Sequence, residues 1–320
     1  MPSGAEMFTR VVVTGASGFL GRHLMPILKR KYGHSAVIGL SSRDYNLLDP
    51  LQVKRMFSEH RPDGLIHLAG YSGGIAANRE FPADFYYRNT LLTALVFHEA
   101  AISGVQKMIY PMGGCSYPAD ATSPIDESQM WSGFPQEESA GYSAAKKMGI
   151  VASRSYRQQY GLNSVVLIPG NMYGEYDDFH PLHSHVIPAM IRRYYEATLN
   201  GLKRITMWGD GSPVRDFVYA GDVAAAIPWF LDHFNETGPI NISTGTSTSI
   251  KELADMIREL TAFPGELEWD TSKPNGQMVK IFSTRLLNGL GLFCSTDLRT
   301  GLGRTIRWFS ENYNGGGIRL

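Results

Sequence analysis

The chain has 320 residues, and 30 Lys and Arg balance 30 Asp and Glu, so its formal net charge is zero. A zero balance argues against a non-specific nucleic-acid or membrane-surface binder, because both rely on a positive field. Two cysteines exclude a disulfide-stapled secreted scaffold. No apolar run approaches the ~18–20 residues of a membrane span, and the first ten residues lack a signal-peptide pattern, so a soluble, cytoplasmic protein is expected. Glycine is the outlier, at 34 residues.

In chain order, residues 8–14 form an apolar, β-branched run that ends at Gly15, and a helical pattern begins near Leu20. Pro26 lies inside that pattern and is expected to kink the helix or shift its start. Residues 36–40 read as a second strand, 52–60 as a helix, 64–68 as a third strand and 89–103 as a helix. A fourth strand over 107–110, a helix over 142–160 and a fifth strand over 165–168 complete the alternation. Such alternation implies a parallel sheet covered on both faces, which binds ligands at the carboxyl ends of its strands. Beyond Pro169 a helix is expected over 180–197, then a Gly-, Trp- and Arg-rich loop over 208–216. Helices over 222–231, 250–260 and 304–313 flank a short strand at 240–242, and 315–317 read as a frayed tail.

Gly15-Ala16-Ser17-Gly18-Phe19-Leu20-Gly21 joins the first strand to the first helix. In this G-x-x-G-x-x-G turn, Gly15 permits the tight bend, Gly18 admits a pyrophosphate to the backbone, and Gly21 lets helix and sheet pack closely. A ligand-free glycine turn would look similar in isolation; its place between strand and helix points to a dinucleotide. The expected fold is α/β, a Rossmann-type doubly wound parallel sheet with a smaller α/β C-terminal substrate lobe. Residues 1–168 with roughly 217–243 would form the dinucleotide-binding domain, and 169–216 with 244–320 the substrate lobe. After the second strand, Ser41-Ser42-Arg43-Asp44 suits a 2′-phosphate, which favours NADP(H) over NAD; alternatively Arg43 is solvated and Asp44 takes the ribose. Asp49 fits either the adenine end of that pocket or, before Pro50, a helix cap.

Tyr142 and Lys146 share a helix face at i, i+4. An ammonium there is expected to lower the phenol's pKa, so that Tyr142 exchanges a proton with a carbonyl oxygen. With the glycine turn ahead of it, this pair resembles the extended short-chain dehydrogenase/reductase family. Further motifs resemble the GDP-L-fucose synthase branch of that family, which reduces and epimerises GDP-4-keto-6-deoxymannose with NADPH. They include Arg43-Asp44-x-Asn46-Leu47-Leu48-Asp49, Gly73-Gly74-Ile75-x-Ala77-Asn78 and Cys115-x-Tyr117-Pro118. The run from Phe179 to Ala189, Trp208-Gly209-x-Gly211-x-Pro213-x-Arg215 and Ser272-Lys273-Pro274-x-Gly276 extend the likeness across residues 10 to about 312.

The resemblance implies a role for each matching residue. Tyr142 would donate the proton in reduction, Lys146 would hold the nicotinamide ribose, and Cys115 with His180 would be the acid/base pair of epimerisation. Arg215, Lys280 and Arg192 would face the diphosphate, Trp208 the base and Asn171 the sugar, with Gly73 and Gly74 giving backbone room beside it. The partner would be a nucleotide sugar, GDP-linked, and the chain a homodimer pairing through helices that include the tyrosine helix, where Ala144, Ala145 and Gly149 are small. No histidine grouping forms a zinc motif, so no metal is expected; Cys294, His183 and His185 read as structural. One position departs from the pattern: Gly113 stands where the family carries a catalytic serine. Losing such a donor typically costs ~10²–10³ in rate. Water or a bulkier sugar fills the gap, or epimerisation survives with weak reduction, or the protein only binds nucleotide.

Overall fold

A computed structural model describes residues 8–273, 275–315 and 318. Pro274 of the last motif, Gly316 and Gly317 of the tail and the first seven residues lie outside them. Ten helices and thirteen strands follow in order among the described residues: β1 (Val11–Thr14), α1 (Phe19–Tyr32), β2 (Val37–Leu40), α2 (Pro50–His60), β3 (Gly64–His67), α3 (Ile75–Glu80), α4 (Pro82–Ile102), β4 (Lys107–Pro111), α5 (Ala140–Tyr160), β5 (Asn163–Pro169), β6 (Asn171–Tyr173), α6 (Val186–Leu199), β7 (Arg204–Trp208), β8 (Val214–Arg215), β9 (Phe217–Tyr219), α7 (Ala220–His233), β10 (Pro239–Ile242), β11 (Thr248–Ser249), α8 (Ile250–Leu260), β12 (Glu266–Asp270), β13 (Val279–Lys280), α9 (Arg285–Gly289) and α10 (Leu298–Asn312).

Six parallel strands form the central sheet in the order β10-β5-β4-β3-β1-β2. The chain leaves β1 for β2 on one side and returns at β3 on the other. That reversal opens a crevice at the carboxyl ends of β1 and β3, where Thr14 pairs with His67. Alternation along β1 feeds both faces. Val12 packs with Leu65, Val96, Phe97 and Ile150 beneath α4 and α5. Val11 and Val13 pack with Leu24, Leu28, Ile227 and Phe230 beneath α1 and α7. A third core joins Phe179, Ile191, Tyr194, Phe217, Ile257 and Phe309 from the second half of the chain. There the strands form small sheets, β6 with β9, β7 with β12, and β11-β8-β13.

Several boundaries differ from expectation for local reasons. Helix α1 runs unbroken through Pro26; that residue is exposed, so the Arg22 carbonyl left without its helical donor faces solvent. Helix α6 starts at Val186 rather than near 180, because the His180 ring, following Phe179, ties the next amides into a turn. Helix α10 starts at Leu298, where Asp297 accepts from the Thr300 amide and caps it. Helix α5 packs on β4 so closely that a Cβ on Gly149 would stand 2.2 Å from a Tyr110 ring carbon. Gly149 and the fully buried Ala145 therefore face the protein's own core. They are not the surface residues expected for subunit pairing; Met148 and Val151 are exposed instead.

Glu127 is buried against β10. One carboxylate oxygen accepts from the Asn241 amide at 2.9 Å, and the other has no hydrogen-bond partner among the described residues. Burial pushes its pKa above the usual carboxylate range. The folded state then holds a proton that the unfolded state has released, so stability falls as pH rises above the ordinary glutamate pKa. Glu127→Gln removes the titration. It is expected to raise the melting temperature more at pH 8 than at pH 5, and equal gains in thermal denaturation at both pH values would contradict this.

Candidate active site

The glycine turn is built as the crevice requires. Gly15 has φ of 73°, and a Cβ there would lie 2.7 Å from the Ala69 amide nitrogen after β3. A Cβ on Gly21 would lie 2.5 Å from the carbonyl oxygens of Gly15 and Ala16. Both glycines serve the protein's own packing. Gly18 differs: its Cβ would meet only the Gly15 carbonyl, at 3.1 Å, so the space before the first turn of α1 is open on its other sides. The unbonded amides of that turn suit a pyrophosphate. Ser17 is exposed and Phe19 half-buried at this rim, while Leu20 sends its side chain into the core and can contribute only its amide.

At the end of β2, the Asp44 carboxylate accepts from the Ser41 amide and hydroxyl at 2.7 and 2.8 Å. These bonds hold its pKa below the usual range. Asp44 is thus committed to its own turn, and the exposed Arg43 carries the free charge. Asp49 caps the next helix. Its oxygens accept from the Leu51 amide at 2.9 Å and the Gln52 side chain at 3.1 Å, which fixes the start of α2.

Tyr142 and Cys115 converge on Gly113. A Cβ at Gly113 would stand 3.0 Å from the Cys115 sulfur, 3.2 Å from Cε1 of Tyr142 and 3.6 Å from its hydroxyl. Burial, reinforced by Cys115 and Tyr110, pushes the Tyr142 pKa up. The shift runs opposite to the expected lowering, and the Lys146 ammonium lies over the Tyr110 ring, 4.2 Å from its centroid. Ser116 cannot replace the missing serine. After Gly113 the backbone turns into a short 3₁₀ segment, Gly114–Ser116, and the Ser116 side chain is fully buried. Phe85 sets its edge against Tyr142 at 6.1 Å and fixes the ring from the α4 side.

His180 is held by its loop. Its Nδ1 accepts from the amides of Leu182 and His183 at 3.2 and 3.1 Å, which leaves the proton of the neutral ring on Nε2. His183 stacks on it at 4.5 Å and reaches Glu80 at 3.0 Å. The Gly74 amide donates to the His183 carbonyl at 2.7 Å, and a Cβ on Gly74 would strike the Ser184 carbonyl at 2.4 Å. Gly74 therefore makes room for the His180 loop and not, as expected, for the sugar. Among the described residues no hydrogen bond joins His180 to Cys115.

On the substrate side, Arg215 and Lys280 are register partners in β8 and β13. Burial lowers the Lys280 pKa, with Cys115 opposing and Arg215 adding to the effect; burial also lowers that of Arg215. Asn171 donates its side-chain amide to the Asp216 carbonyl at 2.8 Å. Trp208 is 69% exposed at the end of β7, open to a stacking partner. Arg192 is occupied: it donates to Glu196 at 2.7 Å and to the Phe179 carbonyl at 2.9 Å. It steadies the residue before His180 rather than presenting a free guanidinium. Cys294 packs against the core, and burial pushes its thiol up to about 12. Among the described residues no helix is long and apolar enough to cross a membrane, and no group of His, Cys, Asp or Glu could hold a metal ion.

A family model described as the NAD dependent epimerase/dehydratase family matches residues 11–243. The chain belongs to the NAD dependent epimerase/dehydratase family. Over 310 residues it is 34% identical to GDP-L-fucose synthase 1 of Arabidopsis thaliana, covering 97% of this chain and 96% of that one. It is similar in structure to a GDP-L-fucose synthetase from Naegleria fowleri bound to NADP, with TM-score 0.88, 26% identity and coverage of 100% and 98%. A GDP-6-OMe-4-keto-L-xylo-heptose reductase from C. jejuni gives TM-score 0.89 at 25% identity, covering 97% and 100%.

Membership of the epimerase/dehydratase family and the α/β fold bear out the sequence-based expectation. Two residues that shape this family member's site escaped it. Asp216 is fully buried and its carboxylate is bonded to two separate segments, at Thr244-Gly245 and at Phe282; an acid beside the apolar Val214, Phe217 and Val218 was its signal. Tyr110 underlies Lys146, and a glycine in the middle of α5 was the sign that a ring approaches there.

The glycines separate by role. Gly21→Ala is expected to lower the melting temperature, since its Cβ overlaps backbone. Gly18→Ala is expected to leave folding nearly unchanged and to weaken dinucleotide binding by about ten-fold, since its Cβ enters the anion's space. Calorimetry with NADPH checks this; unaltered affinity in Gly18→Ala would remove the cradle from the site.

Proposed function

We propose that this chain is an NADP(H)-dependent epimerase/reductase acting on a GDP-linked 4-keto-6-deoxyhexose or a related keto-sugar. The observation that carries the reading is the convergence of the Tyr142 phenol and the Cys115 thiol on one point of backbone at Gly113. The names of the similar proteins supply the substrate class. A single keto-sugar seated there would offer its carbonyl to Tyr142 and an adjacent ring C–H to Cys115.

The residues fit NADP(H). The turn over 15–21 would hold the pyrophosphate, Arg43 the 2′-phosphate and Lys146 the ribose. When bound, the reduced cofactor supplies hydride to the carbonyl carbon. Tyr142 delivers the proton to the carbonyl oxygen, and its raised pKa keeps that proton in place at neutral pH. In epimerisation Cys115 takes a proton from the carbon beside the carbonyl, and the Nε2–H of His180 returns one from the opposite face. A neutral imidazole serves as proton donor elsewhere in enolate chemistry. Work from opposite faces accounts for the lack of a bond between the two. Arg215 and Lys280 bind the diphosphate and Trp208 stacks on the base.

In this reading residues 1–168 with 217–243 hold the cofactor, and 169–216 with 244–320 hold the sugar nucleotide. The functional unit is a homodimer formed through α4 and α5. Both carry exposed apolar side chains, Tyr86 and Tyr87 on one and Met148 and Val151 on the other. Two free thiols suit a cytoplasmic enzyme. A second reading, epimerisation with little reduction, is favoured by Gly113 alone, since no hydroxyl stands there to bond the carbonyl oxygen.

The test is incubation with GDP-4-keto-6-deoxymannose and NADPH in deuterated solvent. NADPH oxidation together with deuterium at C3 and C5 supports the first reading, and exchange without oxidation supports the second. Neither signal, with nucleotide still bound, leaves a binding protein. Tyr142→Phe is expected to abolish oxidation and keep exchange; Cys115→Ser is expected to do the reverse. Gly113→Ser is expected to speed oxidation by about ten-fold or more and to slow exchange, because its Cβ presses on the Cys115 sulfur.

A further inference from the structure

We propose that Tyr110 is a positioning residue for Lys146: its ring face holds the ammonium beside the nicotinamide end of the crevice. The proposal rests on the reading above, in which Lys146 serves cofactor and tyrosine. Lys146 is 6% exposed and Tyr110 is fully buried. The ammonium stands 4.2 Å from the ring centroid. Among the described residues it has no ion pair, so the negative face of the ring is the attraction that offsets its burial. On its far side the ammonium borders Gly70, where a Cβ would lie 3.9 Å away. That places the charge just beyond β3, in the crevice.

The ring is locked. Its hydroxyl pairs with Thr93 at 2.9 Å and reaches the Lys146 carbonyl at 3.4 Å. Phe97 presents an edge at 5.3 Å, and His67 stacks on it at 6.0 Å and 28°. His67 is bonded to Thr14 at 2.7 Å. Burial, and then the Lys146 charge, push its pKa down to about 3. The imidazole is therefore neutral and does not repel the ammonium through the ring. Gly149, three residues after Lys146 on the same helix, provides the room that the ring fills. A lysine side chain otherwise samples many rotamers, and fixing it has an entropic cost. Here the second aromatic layer and the helical glycine set that cost aside before substrate arrives.

The test has two arms. In the cofactor-free protein with ¹³C-labelled lysine, assigned by comparison with Lys146→Arg, the ε-methylene protons of Lys146 are expected to be shifted upfield by the ring current. That shift is expected to persist in Tyr110→Phe and vanish in Tyr110→Leu. In turnover with NADPH and the keto-sugar, Tyr110→Leu is expected to lower kcat by about ten-fold with little change in the KM of the nucleotide sugar, and Tyr110→Phe to recover most of that loss. Because Tyr110→Leu also opens a core cavity, a series of increasingly fluorinated phenylalanines at 110 keeps the volume and drains the ring face. Stepwise loss of kcat along the series supports the proposal; a flat series, or an absent ring-current shift in the wild type, overturns it. If Lys146→Ala turns over like wild type while the shift is present, the reading of Lys146 fails and the contact itself stands.

Discussion

The buried carboxylate of Asp216 is the clasp on which the second half of the molecule depends. It accepts from the Thr244 hydroxyl at 2.7 Å, the Gly245 amide at 3.0 Å and, at 3.3 Å each, the amides of Thr244 and Phe282. Its own backbone receives Asn171 and donates to Lys280. Burial alone would raise its pKa and favour the neutral form, and it does so on balance; the converging donors oppose that shift. Segments that lie far apart in sequence thus meet at one carboxyl group. As a result Arg215 and Lys280 arrive side by side, and Phe282 closes on Gly114, where a Cβ would stand 2.5 Å from its ring. The Arg215–Lys280 pair and the backbone beside Cys115 are joined through this acid.

The first half of the site depends on missing side chains. Gly15 and Gly21 let backbone meet backbone, Gly74 receives the carbonyls of the His180 loop, and Gly149 receives the Tyr110 ring. Gly18, by contrast, leaves open space before α1, and Gly113 borders the Cys115 thiol and the Tyr142 ring. At Gly15, Gly21, Gly74 and Gly149 glycine is therefore a packing device. It draws strand ends, loop and helix close enough for short-range chemistry, at the cost of backbone entropy in the unfolded chain.

Legibility in the sequence followed length and locality. The six sheet strands and the long helices could be read because hydrophobic runs and periodicity extend over several turns or residues. The two- and three-residue strands of the second half could not, because their pairing is set by tertiary contacts such as the Asp216 clasp. Within the site, Tyr142, Lys146 and the glycine turn stand out by spacing. Asp49 carried two readings, and the cap among them is visible only in the positions of the Leu51 amide and Gln52. The seat of the Lys146 ammonium over Tyr110 was illegible, since an i, i+4 pair says nothing about a ring approaching from the sheet below. The bonds that hold Arg192 were illegible in the same way. A cation near a motif looks available until the Phe179 carbonyl and Glu196 are seen to hold it.

The loop around His180 constrains how this enzyme could change over evolutionary time. One nitrogen of the imidazole is an acceptor for two backbone amides and so belongs to the chain trace as much as to the chemistry. A replacement with a different proton affinity would also have to supply an acceptor at the same place for Leu182 and His183. Few side chains do both. Drift in reactivity at this position is therefore coupled to drift in loop shape, whereas Cys115, on a short turn beside glycines, is free to be exchanged alone. In the proposed reaction its two acid/base partners would be unequal in evolvability, and new substrates would be more readily reached by altering the thiol's side of the site than the imidazole's.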